Sequence, residues 1–125
     1  MRSIFVPAVA WLFALFLVFG AYSNGLPSDA TLASYARWGY PSGFNYVTAT
    51  LEFGAALLLV LPRTRLHGAV LAGVIMLAAA GTLILHAGLR PAVPPLLASA
   101  TSVVLVAMLL RDLRPGARRL ADETR

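Results

Sequence analysis

The chain has 125 residues, of which 59% are hydrophobic and only 12% are charged, and its mean hydropathy is +0.79. Soluble domains usually carry about 25% charged residues, so this composition excludes an ordinary water-soluble fold, and the high hydrophobicity excludes intrinsic disorder. The chain has no cysteine, which excludes a disulfide scaffold, a thiol redox centre and an iron–sulfur cluster.

The class that remains is a small integral membrane protein, and four apolar stretches predict its spans. They cover residues 4–22, 44–61, 66–86 and 93–110. Each is close to the about 20 residues that a helix needs to cross the hydrocarbon core of a bilayer. We expect an all-α fold, a four-helix antiparallel transmembrane bundle over residues 1–110 with a basic tail over residues 111–125.

The first span competes with a cleaved signal peptide. Arg2 is suited to its basic region, and Ala21-Tyr22-Ser23 imitates a cleavage site. The apolar run of 17 residues from Ile4 to Gly20 is longer than the about 7–15 residues of a signal peptide, so we expect the span to be retained. A mature N-terminus at Asn24 would contradict this expectation.

Residues 24–43 predict a short extracytoplasmic helix at the membrane interface. Ser28 is a suitable N-cap for it, and Tyr35, Trp38 and Tyr40 are residue types that prefer the level of the lipid head groups. Two interpretations stay open. The segment is either an aromatic belt that fixes the depth of the bundle or a lid over a cavity between the helices.

The connections predict antiparallel neighbours. Residues 62–65 join the second and third spans in a tight turn, and residues 87–92 join the third and fourth. Pro94 and Pro95 then fall in the first turn of the fourth span, where a missing N–H removes no helical hydrogen bond.

The positions of the basic residues, all of them arginine, predict the orientation. Eight lie on one side of the predicted membrane: Arg2, Arg63, Arg65, Arg111, Arg114, Arg118, Arg119 and Arg125. Arg37 and Arg90 lie on the other. By the positive-inside rule, both termini and the middle loop face the cytoplasm, as expected for a protein of the cell membrane. Topology therefore explains the positive charge without a nucleic-acid partner, and the tail is placed to contact anionic lipids.

Glu52 lies in the middle of the second span, and no basic residue stands within seven positions of it. A charged carboxylate at the centre of a bilayer costs about 2.5–3.5 kcal/mol. We therefore expect its side chain to point into the bundle and to be protonated or to meet strong donors. Asn45 and Thr48 share its helical stripe, which supports that direction.

Counting about 1.5 Å of rise per residue predicts which polar residues share a level with Glu52 and which lie nearer the outer face. The first group is Trp11, Ser99 and Ser102; the second is Asn45 and His86, with Thr48 and Thr82 just beneath. Together they predict a polar column that descends to the carboxyl. Two interpretations stay open: a protonated staple that fixes helix register, or a proton path or pocket for a lipophilic ligand such as a quinone.

Other chemistry is poorly supported. His67 and His86 stand 19 residues apart on one predicted helix, about 28 Å along its axis, so they cannot share a metal ion. Neither a hydrolase triad nor a glycine-rich nucleotide motif is present, and we predict no metal site and no catalytic residue.

Several motifs resemble the DoxX-like family of small four-span membrane proteins. They are Gly-Tyr-Pro at 39–41, Leu-Glu-Phe-Gly-Ala-Ala-Leu at 51–57 and Leu-Pro-Arg-Thr-Arg at 61–65, followed by Ala-Ala at 79–80 and His86. The resemblance extends from about Trp11 to Leu110.

The family name comes from a membrane subunit associated with a thiosulfate:quinone oxidoreductase. Other relatives are linked to oxidative-stress complexes, and a distant animal group assists the assembly of an acetylcholine receptor. The resemblance implies an accessory subunit of a membrane redox system, with a quinone or lipid pocket around Glu52 and with an oxidoreductase subunit or a second copy as its partner. The alternative is a non-enzymatic scaffold or assembly factor for another membrane protein; an independent enzyme ranks third.

Overall fold

The computed structural model describes residues 4–113 and 122–124, and the part of the chain described is helical with no strand. The helices are α1 (Phe5–Gly25), α2 (Asp29–Arg37), α3 (Phe44–Val60), α4 (Arg65–His86) and α5 (Leu89–Asp112). Helices α1, α4 and α5 are long and apolar enough to cross a membrane, whereas α3 is an apolar helix of 17 residues. The all-helical prediction is confirmed, with three long candidate spans and one shorter apolar helix.

The long helices pack mainly in chain order. Helix α1 lies against α3, α3 against α4 and α4 against α5, while α1 and α5 touch only lightly. The contact surfaces are rich in alanine, which lets helices in an apolar environment approach closely. The buried alanines of the core are Ala14, Ala55, Ala56, Ala69, Ala72 and Ala98, and the largest fully buried aliphatic side chains are Leu17, Leu59 and Leu105.

The turn between α3 and α4 is held by side chains that cap the end of α3. Thr64 donates its hydroxyl to Leu58 O at 3.0 Å, and Arg65 donates to Leu59 O at 2.8 Å and to Val60 O at 3.2 Å. An α-helix leaves its last carbonyls unpaired, so these bonds replace the missing helical donors. Arg65 is only 7% exposed, which shows that this arginine has a local structural role besides its charge.

The start of the fourth predicted span is corrected. Helix α5 begins at Leu89 and not at residue 93, because Gly88, with φ +94, reverses the chain in a two-residue connection. Pro94 and Pro95 consequently lie in the second turn of the helix. They withhold two N–H groups from carbonyls of the first turn, which is exposed and can bond to solvent.

Gly68 sets the distance between α3 and α4. A Cβ atom at this position would lie 2.6 Å from Leu59 N and 2.9 Å from the carbonyl carbon of Leu58. Both are backbone atoms, which cannot move aside without displacing α3. Gly81, on the same helix, has nothing within 4 Å of such a Cβ.

We predict that Gly68→Ala lowers the free energy of unfolding by about 1–3 kcal/mol, because the added methyl group overpacks the interface. Gly81→Ala is the matched control and should leave stability unchanged or slightly raise it, since alanine favours the helix. Thermal unfolding of both variants in the same detergent measures the difference. Equal stability of the two variants would contradict the assignment of Gly68 as a contact residue.

Candidate functional site

Helix α2 begins as the sequence predicts. Ser28 Oγ accepts a hydrogen bond from Thr31 N at 3.2 Å, which confirms Ser28 as the N-cap. After α2 the chain turns back at Gly39 and Gly43, whose φ angles of +84 and +86 favour glycine. These turns place the connecting residues over the side of α3 and α4.

An aromatic cluster forms at this place from Tyr35, Trp38, Tyr40 and Phe44. The rings of Tyr40 and Phe44 are stacked with centroids 4.5 Å apart, and the ring of Tyr35 lies 5.7 Å from those of Trp38 and Tyr40. Such stacked and tilted ring pairs stabilise a cluster beyond the area they bury. Tyr40 also hydrogen bonds to Thr82, which ties the segment after α2 to α4.

A cavity of about 280 Å³ lies between α3 and α4 beside the aromatic cluster. Its residues are Tyr35, Trp38, Tyr40, Phe44, Thr48, Leu51, Leu71, Val74, Ile75, Ala78, Ala79, Thr82 and Leu83. The hydroxyl groups are gathered at the end near α2, and the far end is aliphatic. From Leu71 to Leu83 the wall extends about 18 Å along α4, so the cavity is elongated and polar at one end only.

Glu52 lies in a different interface, between α3 and α1, and its side chain is 5% exposed. Asn24 donates to Glu52 Oε2 at 3.1 Å. Gly20 provides the space for the carboxyl group, because a Cβ atom at that position would lie 2.8 Å from Oε1. The expectation that Glu52 points away from the lipid is thus met by the geometry, with α1 as the helix it faces.

Hydrogen bonds to three neighbouring residues hold the side-chain amide of Asn24 in one orientation. Its Nδ2 also donates to Gly20 O at 3.0 Å, and its Oδ1 accepts the hydroxyl of Tyr35 at 2.7 Å. Asn45 donates to the backbone oxygen of Asn24 at 2.8 Å. The amide must therefore present an N–H to Glu52, and Asn24 links the buried carboxyl to a residue of the cavity wall.

The predicted site residues fall into three groups. Asn45 and Glu52 are brought together through Asn24, and Thr48 and Thr82 line the cavity with the three predicted lid residues Tyr35, Trp38 and Tyr40. The remaining four lie elsewhere: His86, Trp11, Ser99 and Ser102. Glu52 does not line the α3–α4 cavity, so this cavity lies one helix interface away from the predicted pocket.

The four predicted site residues outside the network and the cavity have other neighbours. His86 is exposed at the end of α4. Trp11 is 52% exposed, and nine residues separate it from Gly20, about 13 Å along α1. Ser99 donates to Pro95 O at 2.8 Å, while Ser102 is buried against Gly73 of α4 and has no hydrogen-bond partner among the described residues.

Sequence reasoning missed Asn24 because it ended the first span at residue 22 and assigned Asn24 to the outer loop, and it gave Gly20, which lies within that span, no role. Helix α1 extends to Gly25, and Gly20 and Asn24 are one helical turn apart on the face toward α3. A small residue followed four positions later by an amide, opposite a span that contains an acid, is the signal that could have found them.

Burial raises the pKa of the Tyr35 phenol above its ordinary value of 10.0. A hydrogen bond with Thr48 opposes this rise, whereas negative charge on Glu52 and Tyr40 adds to it. The phenol is therefore protonated at neutral pH, which is the form that donates to Asn24.

We predict that Asn24→Ala lowers the free energy of unfolding by about 1–3 kcal/mol, because Glu52 and Tyr35 each lose their hydrogen bond to Asn24 in a partly buried setting. Ser23→Ala is the control, since exposed Ser23 donates only to Phe19 O within its own helix. Unfolding in detergent measures both variants. A loss no greater for Asn24→Ala than for Ser23→Ala would show that Asn24 does not hold the network.

We also predict that Tyr35 titrates above the pH of an ordinary tyrosine. The ultraviolet absorbance of tyrosinate, measured for the natural chain minus Tyr35→Phe, should show a midpoint above about pH 10. Since the phenol has the higher pKa in the folded state, its contribution to stability is present below about pH 10 and is lost as the pH rises through the folded pKa. A midpoint at or below that of a free tyrosine would contradict the prediction.

Comparison with known proteins places the sequence of the chain in a family. Residues 8–110, most of the chain, match the sequence model of the DoxX-like family. No curated protein and no solved structure matches the chain. The resemblance seen in the sequence is confirmed, and the chain, a membrane protein with several apolar helices, belongs to the DoxX-like family.

Proposed function

We propose that this DoxX-like protein is an accessory subunit of a membrane redox system and holds a lipophilic ring of the quinone class in the α3–α4 cavity. The observation that carries the proposal is the cavity itself, with an aromatic, hydroxyl-bearing end near α2 and an aliphatic end between the helices. A membrane quinone likewise has one polar end and one apolar end, because its polar ring carries an apolar chain.

The size of the cavity supports a ligand with one ring. A cavity of about 150 Å³ in another protein accepts benzene, so a volume of about 280 Å³ leaves room for ring substituents or the first part of a chain. Ligand sites are commonly lined by apolar and aromatic side chains with a few polar groups that fix orientation. Tyr35, Trp38, Tyr40, Thr48 and Thr82 are those groups here.

The aliphatic end gives the ligand a route from the bilayer. Leu51 of α3 and Val74 of α4 line this end and are 43% and 60% exposed. In a membrane these side chains face acyl chains, so a hydrophobic tail can extend sideways from the cavity into the lipid. A ligand dissolved in the membrane then reaches the site without crossing water.

Glu52 acts in this proposal as a positioning residue. Its carboxyl fixes Asn24, and Asn24 fixes the hydroxyl of Tyr35 at the cavity wall. Asn45 supports the same arrangement through the backbone of Asn24. We thus propose the α3–α4 cavity as the ligand site, and Glu52 influences this cavity through two hydrogen bonds.

The arrangement in the membrane is part of the proposal. We infer that α3 completes a set of four spans with α1, α4 and α5, and that the arginine distribution directs both termini and the α3–α4 turn to the cytoplasmic side of the cell membrane. The chain has no cysteine, so thiol chemistry in such a system belongs to a partner oxidoreductase subunit. A second copy of the chain is the other candidate partner.

Blocking the cavity tests the function. We predict that the protein purified from membranes carries a quinone that organic solvent extracts, and that Ala79→Phe reduces the amount by about tenfold or more by filling the cavity. Ala100→Phe adds the same bulk at an exposed site on α5 outside the cavity and should retain the quinone. Mass spectrometry of the extracts, normalised to protein, measures the result.

Two different results would contradict the proposed function. If the natural chain carries no more quinone than an unrelated membrane protein in the same detergent, the ligand proposal fails. A stoichiometric membrane protein that co-purifies without any small molecule would instead support the scaffold or assembly role.

A further inference from the structure

The hydrogen atoms of the hydroxyl groups around the cavity are already used within the protein, which limits what a ligand can bond to. Among the described residues that line the cavity, five carry a side-chain donor: Tyr35, Trp38, Tyr40, Thr48 and Thr82. Tyr35 donates to Asn24 Oδ1 at 2.7 Å, and Thr48 has two protein acceptors for its single hydrogen, Phe44 O at 3.4 Å and the phenol oxygen of Tyr35. These two hydroxyls have only oxygen lone pairs left for a ligand.

The same reasoning shows which hydroxyl donates in the hydrogen bond between Tyr40 and Thr82. Thr82 Oγ1 lies 3.0 Å from Ala78 O, and a carbonyl oxygen can only accept. The single hydroxyl hydrogen of Thr82 is therefore donated to Ala78, so in the contact between Tyr40 and Thr82 the tyrosine is the donor. All four hydroxyl hydrogens are then directed to protein atoms, and the indole N–H of Trp38 is the remaining side-chain donor of this lining.

A ligand that donates fits this arrangement better than one that only accepts. A phenol or hydroquinone hydroxyl can donate its hydrogen to a lone pair of Tyr40 or of Thr48 while every protein bond stays intact. The carbonyl oxygens of an oxidised quinone need donors, and apart from Trp38 each one obtained would break an existing bond. A polar group left without its partner weakens binding by about tenfold or more, which is enough to decide between two ligands of the same shape.

We infer that the α3–α4 cavity is selective for a hydroxyl-bearing ring, an alkylated phenol or hydroquinone, over the oxidised quinone or an ether of the same ring. This inference rests on the proposed function. The hydroxyl lies at the α2 end, toward Tyr40 and Thr48, and the alkyl chain follows Leu71 and Val74. The protein thus holds the reduced form of a membrane-soluble carrier.

The experiment uses a matched pair of probes, 4-hexylphenol and 4-hexylanisole, which differ only in the methyl group on oxygen. The full chain carries Trp11→Phe, so that Trp38 at the cavity is its single tryptophan, since the sequence has two. Fluorescence of Trp38 reports binding in detergent. The same titration of the Trp11→Phe, Ala79→Phe variant measures partition into the micelle, which is subtracted.

We expect the phenol to bind about tenfold more tightly than the anisole, corresponding to the loss of one well-paired hydrogen bond. Replacing both acceptors, in Tyr40→Phe with Thr48→Val, should reduce this preference to less than about twofold. Equal or tighter binding of the anisole, or a preference that persists in the double variant, would overturn the inference and leave the proposed function standing. If neither probe binds saturably above the blocked variant, the proposed function itself fails.

A second measurement extends the result to the redox pair. Equilibrium dialysis under argon compares a decyl-substituted benzoquinone with the hydroquinone obtained from it by reduction. Preferential retention of the hydroquinone by the natural chain, lost in the blocked variant, is the expected result. Preferential retention of the quinone would contradict the selectivity for the reduced form.

Discussion

The contact between Glu52 and Asn24 is the constraint from which the arrangement of the site follows. A carboxyl group inside an apolar bundle must find its donor within the protein, because lipid offers none. Asn24 supplies that donor, and Gly20 leaves the space for the carboxyl group. This contact ties α1 to α3 near the C-terminal end of α1, from which the chain continues toward α2.

The position of α2 in turn determines the cavity. Tyr35 of α2 donates its hydroxyl to Asn24, and the aromatic residues that follow Tyr35 lie beside α3 and α4. The bond from Tyr40 to Thr82 closes the other end of the segment. The polar network around Glu52 thus connects to the wall of the neighbouring cavity through Asn24 and Tyr35.

At the opposite end of the bundle, other residues allow α3 and α4 to pack closely. Gly68 lets α4 approach the backbone of α3, and Arg65 and Thr64 satisfy the last carbonyls of α3 in the turn between them. Because the peptide groups of α3 are paired within the protein there, the short helix can end inside a tight turn. The Leu-Pro-Arg-Thr-Arg motif is in this sense a structural motif, and it is remote from the cavity.

The sequence by itself determined the class of protein, the helices and the cap at Ser28, because composition, apolar stretches and capping act over a few neighbouring residues. It also identified Glu52 as a residue that must avoid lipid, together with the five side chains of the cavity wall that carry a hydrogen-bond donor. Only the tertiary structure decided which helix Glu52 faces. Rise along a helix predicts depth but not rotation or the tilt of neighbours, so Trp11 and two serines were placed beside Glu52 where Gly20 and Asn24 stand. The separation of carboxyl and cavity was undecided for the same reason, since Thr48 of the cavity wall and Glu52 stand four residues apart on adjacent faces of α3.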